Sequence, residues 1–151
     1  VQRALTDESE THIIVDYGQN AKKDHYDAVL LDAPCSGLGS VRRKPESRWR
    51  KEPSQLPQLT NLQQELLQAG IESLKPGGYL LYSTCSPLIP ETNTQIRIAL
   101  DSNPGLELVD AKEVLGRISP DLKVNPNRKT VQLWTHEHAT DAMFMAILRK
   151  P

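Results

Sequence analysis

The unbroken apolar run Ala28-Val29-Leu30-Leu31 is opened by Tyr26-Asp27 and closed by Asp32-Ala33-Pro34. This pattern predicts a strand buried on both faces of a parallel sheet. Downstream, Leu59, Leu62, Leu66, Leu67, Ile71 and Leu74 recur at helical spacing, and Pro76-Gly77-Gly78 is expected to end that helix. Tyr79 to Ser83 then reads as a second buried strand, with Thr84-Cys85-Ser86-Pro87 as its exit turn. Strand, crossover helix and strand make a βαβ unit, so the two strands should be parallel and should leave the sheet at the same edge. Earlier in the chain, Val1 to Glu8 reads as the tail of an amphipathic helix, and His12 to Val15 as a β-branched strand ending at Asp16-Tyr17-Gly18. Later, a shorter helix is expected from near Pro90 to Asn103, with Ile96, Ala99 and Leu100 inward, followed by a strand over Leu106 to Val109. Ser119 to Thr130 reads as a loop. Val131 to Trp134 and Met143 to Leu148 are expected to form an antiparallel pair closing the sheet, joined by Thr135 to Ala142.

Composition narrows the class. At 38% hydrophobic and 25% charged, 151 residues suit one globular domain of α/β type. The apolar runs are short and no charged-then-apolar leader opens the chain, so a cytoplasmic location is expected. Two cysteines make no disulfide framework and no cysteine-only zinc site. The net charge of -1 excludes a globally basic nucleic-acid coat and leaves room for a local basic patch. One exists: Arg42 to Lys51 carries six cations and Trp49. It reads either as a solvated loop anchored by the indole or as a surface for a nucleic-acid strand.

Candidate chemistry collects beyond the strand ends, where open α/β sheets place their ligands. Asp32 and Cys35 follow the first strand and Cys85 the second, so both thiols are expected to face one cleft. Two buried inert thiols, a disulfide, or a thiolate stabilised by turn N–H groups are the alternatives, and the matched placement favours the last. Asp32 and Asp16 each have a plainer reading, as strand-end residues bonding local N–H groups. His136 and His138, with Glu137 and Asp141, offer only part of a metal site, and hydrogen bonding within the closing loop suits them better.

Asp32-Ala33-Pro34-Cys35-Ser36-Gly37-Leu38-Gly39 followed by Ser83-Thr84-Cys85-Ser86-Pro87, with Lys75-Pro76-Gly77-Gly78 before the second strand, resembles the Sun (Fmu, RsmB-like) family of S-adenosylmethionine-dependent RNA (cytosine-5-)methyltransferases. The resemblance extends to the Arg42-Arg43 and Arg48-Trp49-Arg50 region and to Asp141-Ala142-Met143-Phe144, where many relatives have Gly-Phe-Phe. It implies a partial Rossmann-like methyltransferase sheet with central and C-terminal strands, flanking helices and an antiparallel closing strand. It implies Cys85 as the nucleophile at cytosine carbon 6, Cys35 as the group aiding release, and Asp32 at the cytosine edge and the cofactor. Asp16 would meet the adenine amino group of S-adenosylmethionine, and Arg42, Arg43, Arg48 and Trp49 would meet RNA, ribosomal by family habit. The family's glycine-rich cofactor loop is expected before Val1, together with any RNA-binding domain. The chain thus reads as the C-terminal half of a methyltransferase domain, inactive alone. An exposed sheet edge beside Ala28 to Leu31 is expected, covered by His12 to Val15 or by a second copy in a homodimer. The alternative function is a non-catalytic RNA-binding or assembly module.

Overall fold

The computed structural model describes residues 18–50 and 52–151. Among them, five strands form one sheet of order β1-β2-β5-β3, with β4 paired to β5 off that path. Strand β1 (Tyr26–Asp32) runs parallel to β2 (Leu74–Thr84), in register from Ala28↔Tyr79 to Asp32↔Ser83. The connection passes through α1 (Leu56–Ser73). The βαβ unit expected from the sequence is therefore present, and it brings both strand exits to the same edge.

Helix α1 follows a short 3-10 turn, Pro53–Gln55, in which Glu52 and Gln55 cap one another's backbone. Its buried stripe is Gln63, Leu67, Gly70 and Ile71, the i, i+4, i+7, i+8 pattern of one helical face. The helix ends at Ser73, three residues before Pro76. Leu74 is already extended at φ -70°, ψ 139° and fully buried in the sheet. The Lys75-Pro76-Gly77-Gly78 segment belongs instead to the start of β2, where the register with β1 slips between the Tyr26↔Leu74 and Ala28↔Tyr79 pairs.

Helix α2 (Asn93–Ser102) buries Ile96 and Ala99, with Leu100 packed against the same core. Strand β3 (Glu107–Val109) matches its sequence reading, whereas α3 (Ala111–Ile118), capped by Asp110, was not foreseen. Strands β4 (Val131–Gln132) and β5 (Phe144–Arg149) pair antiparallel as expected, across the single turn α4 (Thr135–His138). Yet β5 does not close the sheet at its edge. It lies between β2 and β3, antiparallel to both, and inserts Phe144, Ala146 and Leu148 fully into the core.

A further expectation is overturned. Strand β1 is not buried on both faces: Leu30 is 70% exposed, and Ala28 is exposed beside it. Ala28, Leu30, Tyr79, Leu81, Val114 and Ile147 line an apolar hollow of about 380 Å³ on that face. An apolar run reports what a strand can bury, and burial itself depends on a covering layer, which the described residues do not supply on this side. The Val1 to Glu8 helix, the His12 to Val15 strand and Asp16 lie outside the described residues. No described helix is long and apolar enough to cross a membrane.

Candidate active site

The ladder between β1 and β2 continues one step past β1, where Ala33 N–H donates to Ser83 O at 2.9 Å. Pro34-Cys35-Ser36 then turns away through Gly37, whose φ of 69° is left-handed, into a 3-10 turn at Leu38–Ser40. Gly39 fastens three segments: its N–H donates to Cys85 O at 2.9 Å, and its carbonyl accepts from Ala142 N–H at 2.9 Å. A β-carbon at Gly39 would stand 2.1 Å from Ala142 O and 2.8 Å from Cys85 O, so only glycine permits this approach. The two cysteine turns and the β4–β5 hairpin are thereby locked together by backbone.

This places Cys35 Sγ 3.4 Å from Cys85 Sγ, both as free, half-buried thiols. They share one proton unequally. The contact with Cys35 and the Cys85 backbone N–H lower the Cys85 thiol from 9.0 to about 7, against the opposing effects of burial and of the Asp32 and Asp141 charges. Cys35 is pushed far up by the contact with Cys85 and by burial. Near neutral pH the pair therefore holds a thiolate on Cys85 hydrogen-bonded by the Cys35 S–H, the arrangement that makes a cysteine nucleophilic. Asp32, at the end of β1, is exposed, and its carboxylate has no hydrogen-bond partner among the described residues.

Glu91, which the sequence reading did not single out, is fully buried between the two turns. It accepts from Ser36 N–H at 2.7 Å, Ser36 Oγ at 2.6 Å, Ser86 Oγ at 2.5 Å and Gln63 Nε2 at 3.2 Å. Gln63 also donates to Pro34 O at 2.8 Å, and Tyr82 O–H donates to Glu91 O at 2.9 Å. The signal available in the sequence was only an acid following a Pro-rich turn. Its donors lie up to 55 residues away, beyond any local pattern.

The basic segment divides on inspection. Arg43 is committed to the protein, its Nε and Nη2 gripping both oxygens of Asp141 at 2.5 to 3.0 Å. Arg42 is exposed and donates from Nη2 to Ala139 O at 3.5 Å, and the exposed Arg48 stacks over Trp49 at 4.7 Å, with Trp49 79% exposed. His138 binds backbone on both sides, accepting from Trp134 N–H at 2.9 Å and meeting Lys123 O at 2.7 Å, while His136 stays on the surface beside Glu137. A groove of about 930 Å³ is lined by Pro87, Lys123, Arg128, Gln132, Trp134 and His138, and neither cysteine lines it. Lys123 and Arg128 have no ion-pair partner among the described residues.

Comparison with known proteins agrees with this picture. The family described as 16S rRNA methyltransferase RsmB/F matches residues 5–149. A Mycobacterium tuberculosis protein named as a methyltransferase is 46% identical over 125 residues, 83% of this chain and 26% of that relative. Ribosomal RNA small subunit methyltransferase B of Vibrio cholerae is 34% identical over 84% of this chain and 26% of its own length. The chain thus spans about a quarter of these relatives. Among solved structures, PH0851 superposes with a TM-score of 0.77 at 34% identity, over 87% of this chain and 29% of that one. NSun6 from Pyrococcus horikoshii, solved with SFG, superposes with a TM-score of 0.64 at 27% identity, over 80% and 29%.

Proposed function

The chain belongs to the RsmB/F family of 16S rRNA methyltransferases, and from that premise we propose that it is the C-terminal part of a methyltransferase domain that methylates carbon 5 of a cytosine in ribosomal RNA. The carrying observation is the 3.4 Å thiol pair at the ends of two parallel strands, with the lowered thiol on Cys85. Carbon 5 of cytosine is too electron-poor to attack a methyl sulfonium. The Cys85 thiolate adds to carbon 6 and makes carbon 5 nucleophilic. S-adenosylmethionine, when bound, supplies the methyl group. Cys35 then aids release: the carbon 5 proton leaves, the sulfur of Cys85 is expelled, and the ring double bond returns. Asp32 is placed to hydrogen-bond the base edge or a cofactor hydroxyl, because its carboxylate stands exposed at the strand end with no protein partner among the described residues. That free acceptor, on the side of β1 that is open among the described residues, fits a methyl donor bound there, and the analogue SFG in NSun6 supports the same donor. Asp16 would complete the set by meeting the adenine amino group.

RNA is held in this reading by Arg42, Arg48 and Trp49 and by the groove lined by Pro87, whose Lys123 and Arg128, without ion-pair partners among the described residues, suit phosphates and whose Trp134 suits a stacked base. Arg43 acts through Asp141, as a brace for the turn rather than a phosphate ligand. The free edge of β1 is where the remaining strands of the domain pair in the longer protein, with a homodimer through the same edge as the competing occupant, and the apolar hollow over Leu30 is where a covering helix packs. Nucleoside mass spectrometry of 16S rRNA from cells lacking the full-length protein tests the function. Loss of one 5-methylcytidine, restored by the wild-type gene, is expected. Loss of a different methylated nucleoside, or of none, would overturn the reading.

A further inference from the structure

The chemistry above leaves Glu91 unused, although it is a fully buried acid whose carboxylate collects four donors and, among the described residues, no cation. Burying a carboxylate is costly unless its neighbours are arranged for it. The arrangement here joins the two cysteine turns at the residue that follows each cysteine. One oxygen, Oε2, accepts from the Ser36 hydroxyl at 2.6 Å and from the Ser86 hydroxyl at 2.5 Å. Those hydroxyls stand 3.4 Å apart, the same separation as the two sulfurs one residue earlier. The other oxygen, Oε1, accepts from Ser36 N–H at 2.7 Å and from Gln63 Nε2 at 3.2 Å. We propose that Glu91 is the positioning residue that sets the separation of the two thiols, a clamp on the serines that carries over to the cysteines beside them.

Backbone-to-backbone contacts between the turns stop short of Cys35. The β1–β2 ladder ends with Ala33 N–H on Ser83 O, and Gly39, further along the same turn, holds Cys85 O. Between these two points Pro34-Cys35-Ser36 is held through side chains: Gln63 Nε2 donates to Pro34 O at 2.8 Å, and Glu91 takes both donors of Ser36. Glu91 is itself fixed through its main chain, since Tyr82 O–H donates to its carbonyl at 2.9 Å and its N–H donates to Leu88 O at 3.0 Å. Glu91, Ser86 and Gln63 are all fully buried, so water does not compete for these bonds and the low local dielectric strengthens them. The clamp works through hydrogen bonds and does not need the charge. A glutamine that keeps Oε1 and places Nε2 where Oε2 stands still accepts from Ser36 N–H and offers one N–H to each serine hydroxyl, which accepts as well as donates. A leucine of similar volume holds neither turn.

The inference rests on the two-cysteine reading of the site, and its test requires neither RNA nor methyl donor. The probe is phenylarsine oxide, whose trivalent arsenic bonds to two thiol sulfurs while its oxygen and the two thiol protons leave as water. Tight binding requires both sulfurs within reach of one arsenic atom. The full-length reduced protein is titrated with the probe in competition with a monothiol, the bridged peptides are identified by mass spectrometry, and the melting temperature is measured alongside. Wild type and Glu91→Gln should be bridged across Cys35 and Cys85 with affinities within about threefold of each other, and Glu91→Leu at least about tenfold more weakly, because the second sulfur is no longer presented at a fixed distance. A merely structural role for Glu91 would lower the melting temperature and leave the affinity alone. A wild type that is not bridged, an unchanged affinity in folded Glu91→Leu, or a folded Glu91→Gln as weak as Glu91→Leu overturns the proposal. If either Glu91 variant does not fold, Ser86→Ala decides, because it removes the tie to the Cys85 turn and leaves Glu91 its contacts with Ser36 and Gln63. A loss of at least about threefold is expected there, and no loss overturns the proposal. Failure of the two-cysteine reading would show separately, as methylation surviving Cys85→Ala.

Discussion

The Cys35 and Cys85 turns share a plan. Each follows a parallel strand, each places serine after cysteine, and each sulfur is half-buried against the other. They part in what surrounds them. Each sulfur is met by one backbone N–H, that of Gly37 at Cys35 and its own at Cys85, while the contact between the thiols and burial hold Cys35 up and the same contact lowers Cys85. Strand geometry therefore brings two equivalent cysteines together, and their surroundings make them unequal.

The comparison breaks most completely at Gly39, which fixes one turn against the other. Gly39→Ala should lower the single-turnover methylation rate of the full-length protein by about 100-fold or more, since displacing reacting groups by about 1 Å has that effect. Rapid-quench measurement with saturating RNA checks it, and a loss under about threefold would mean that the backbone contact does not set the thiol geometry. The pH profile gives the next largest effect. Thiolate is the reactive form, so kcat/KM should rise with pH about tenfold per unit below the Cys85 pKa of about 7 and level off above it. A rise continuing to pH 9 would show that the Cys85 turn confers no advantage. The smallest effect is expected in the groove. Lys123→Ala with Arg128→Ala should weaken RNA binding by about tenfold at low salt and reduce the salt slope by about 1 to 2. Filter binding across a salt series measures it.

Much of this was legible in the sequence. Alternating and continuous apolar runs marked β1, β2 and β5, and the stripe on α1 marked the crossover, so the meeting of Cys35 and Cys85 followed from topology alone. What escaped notice was relational. Glu91 sits in a turn with nothing local to distinguish it, and its role depends on Ser36 and Gln63, which are remote in the chain and close in the fold. Arg43 was read with its cationic neighbours, and only the approach of Asp141, 98 residues on, removes it from the surface set. The exposure of Leu30 has a different cause. Its sequence records a strand built to be covered, and the cover is not among the described residues. Helix α3 is short and follows β3 at once, so its two turns of amphipathic pattern merged with the loop that follows.

Denaturing gel electrophoresis of the full-length protein with its RNA and S-adenosylmethionine tests the unequal roles of the two cysteines most directly. Cys35→Ala should methylate and then remain bound through Cys85, giving a slow-migrating covalent protein–RNA species, while Cys85→Ala should give neither adduct nor product. An adduct formed by Cys85→Ala and absent from Cys35→Ala would contradict the account and exchange the two roles.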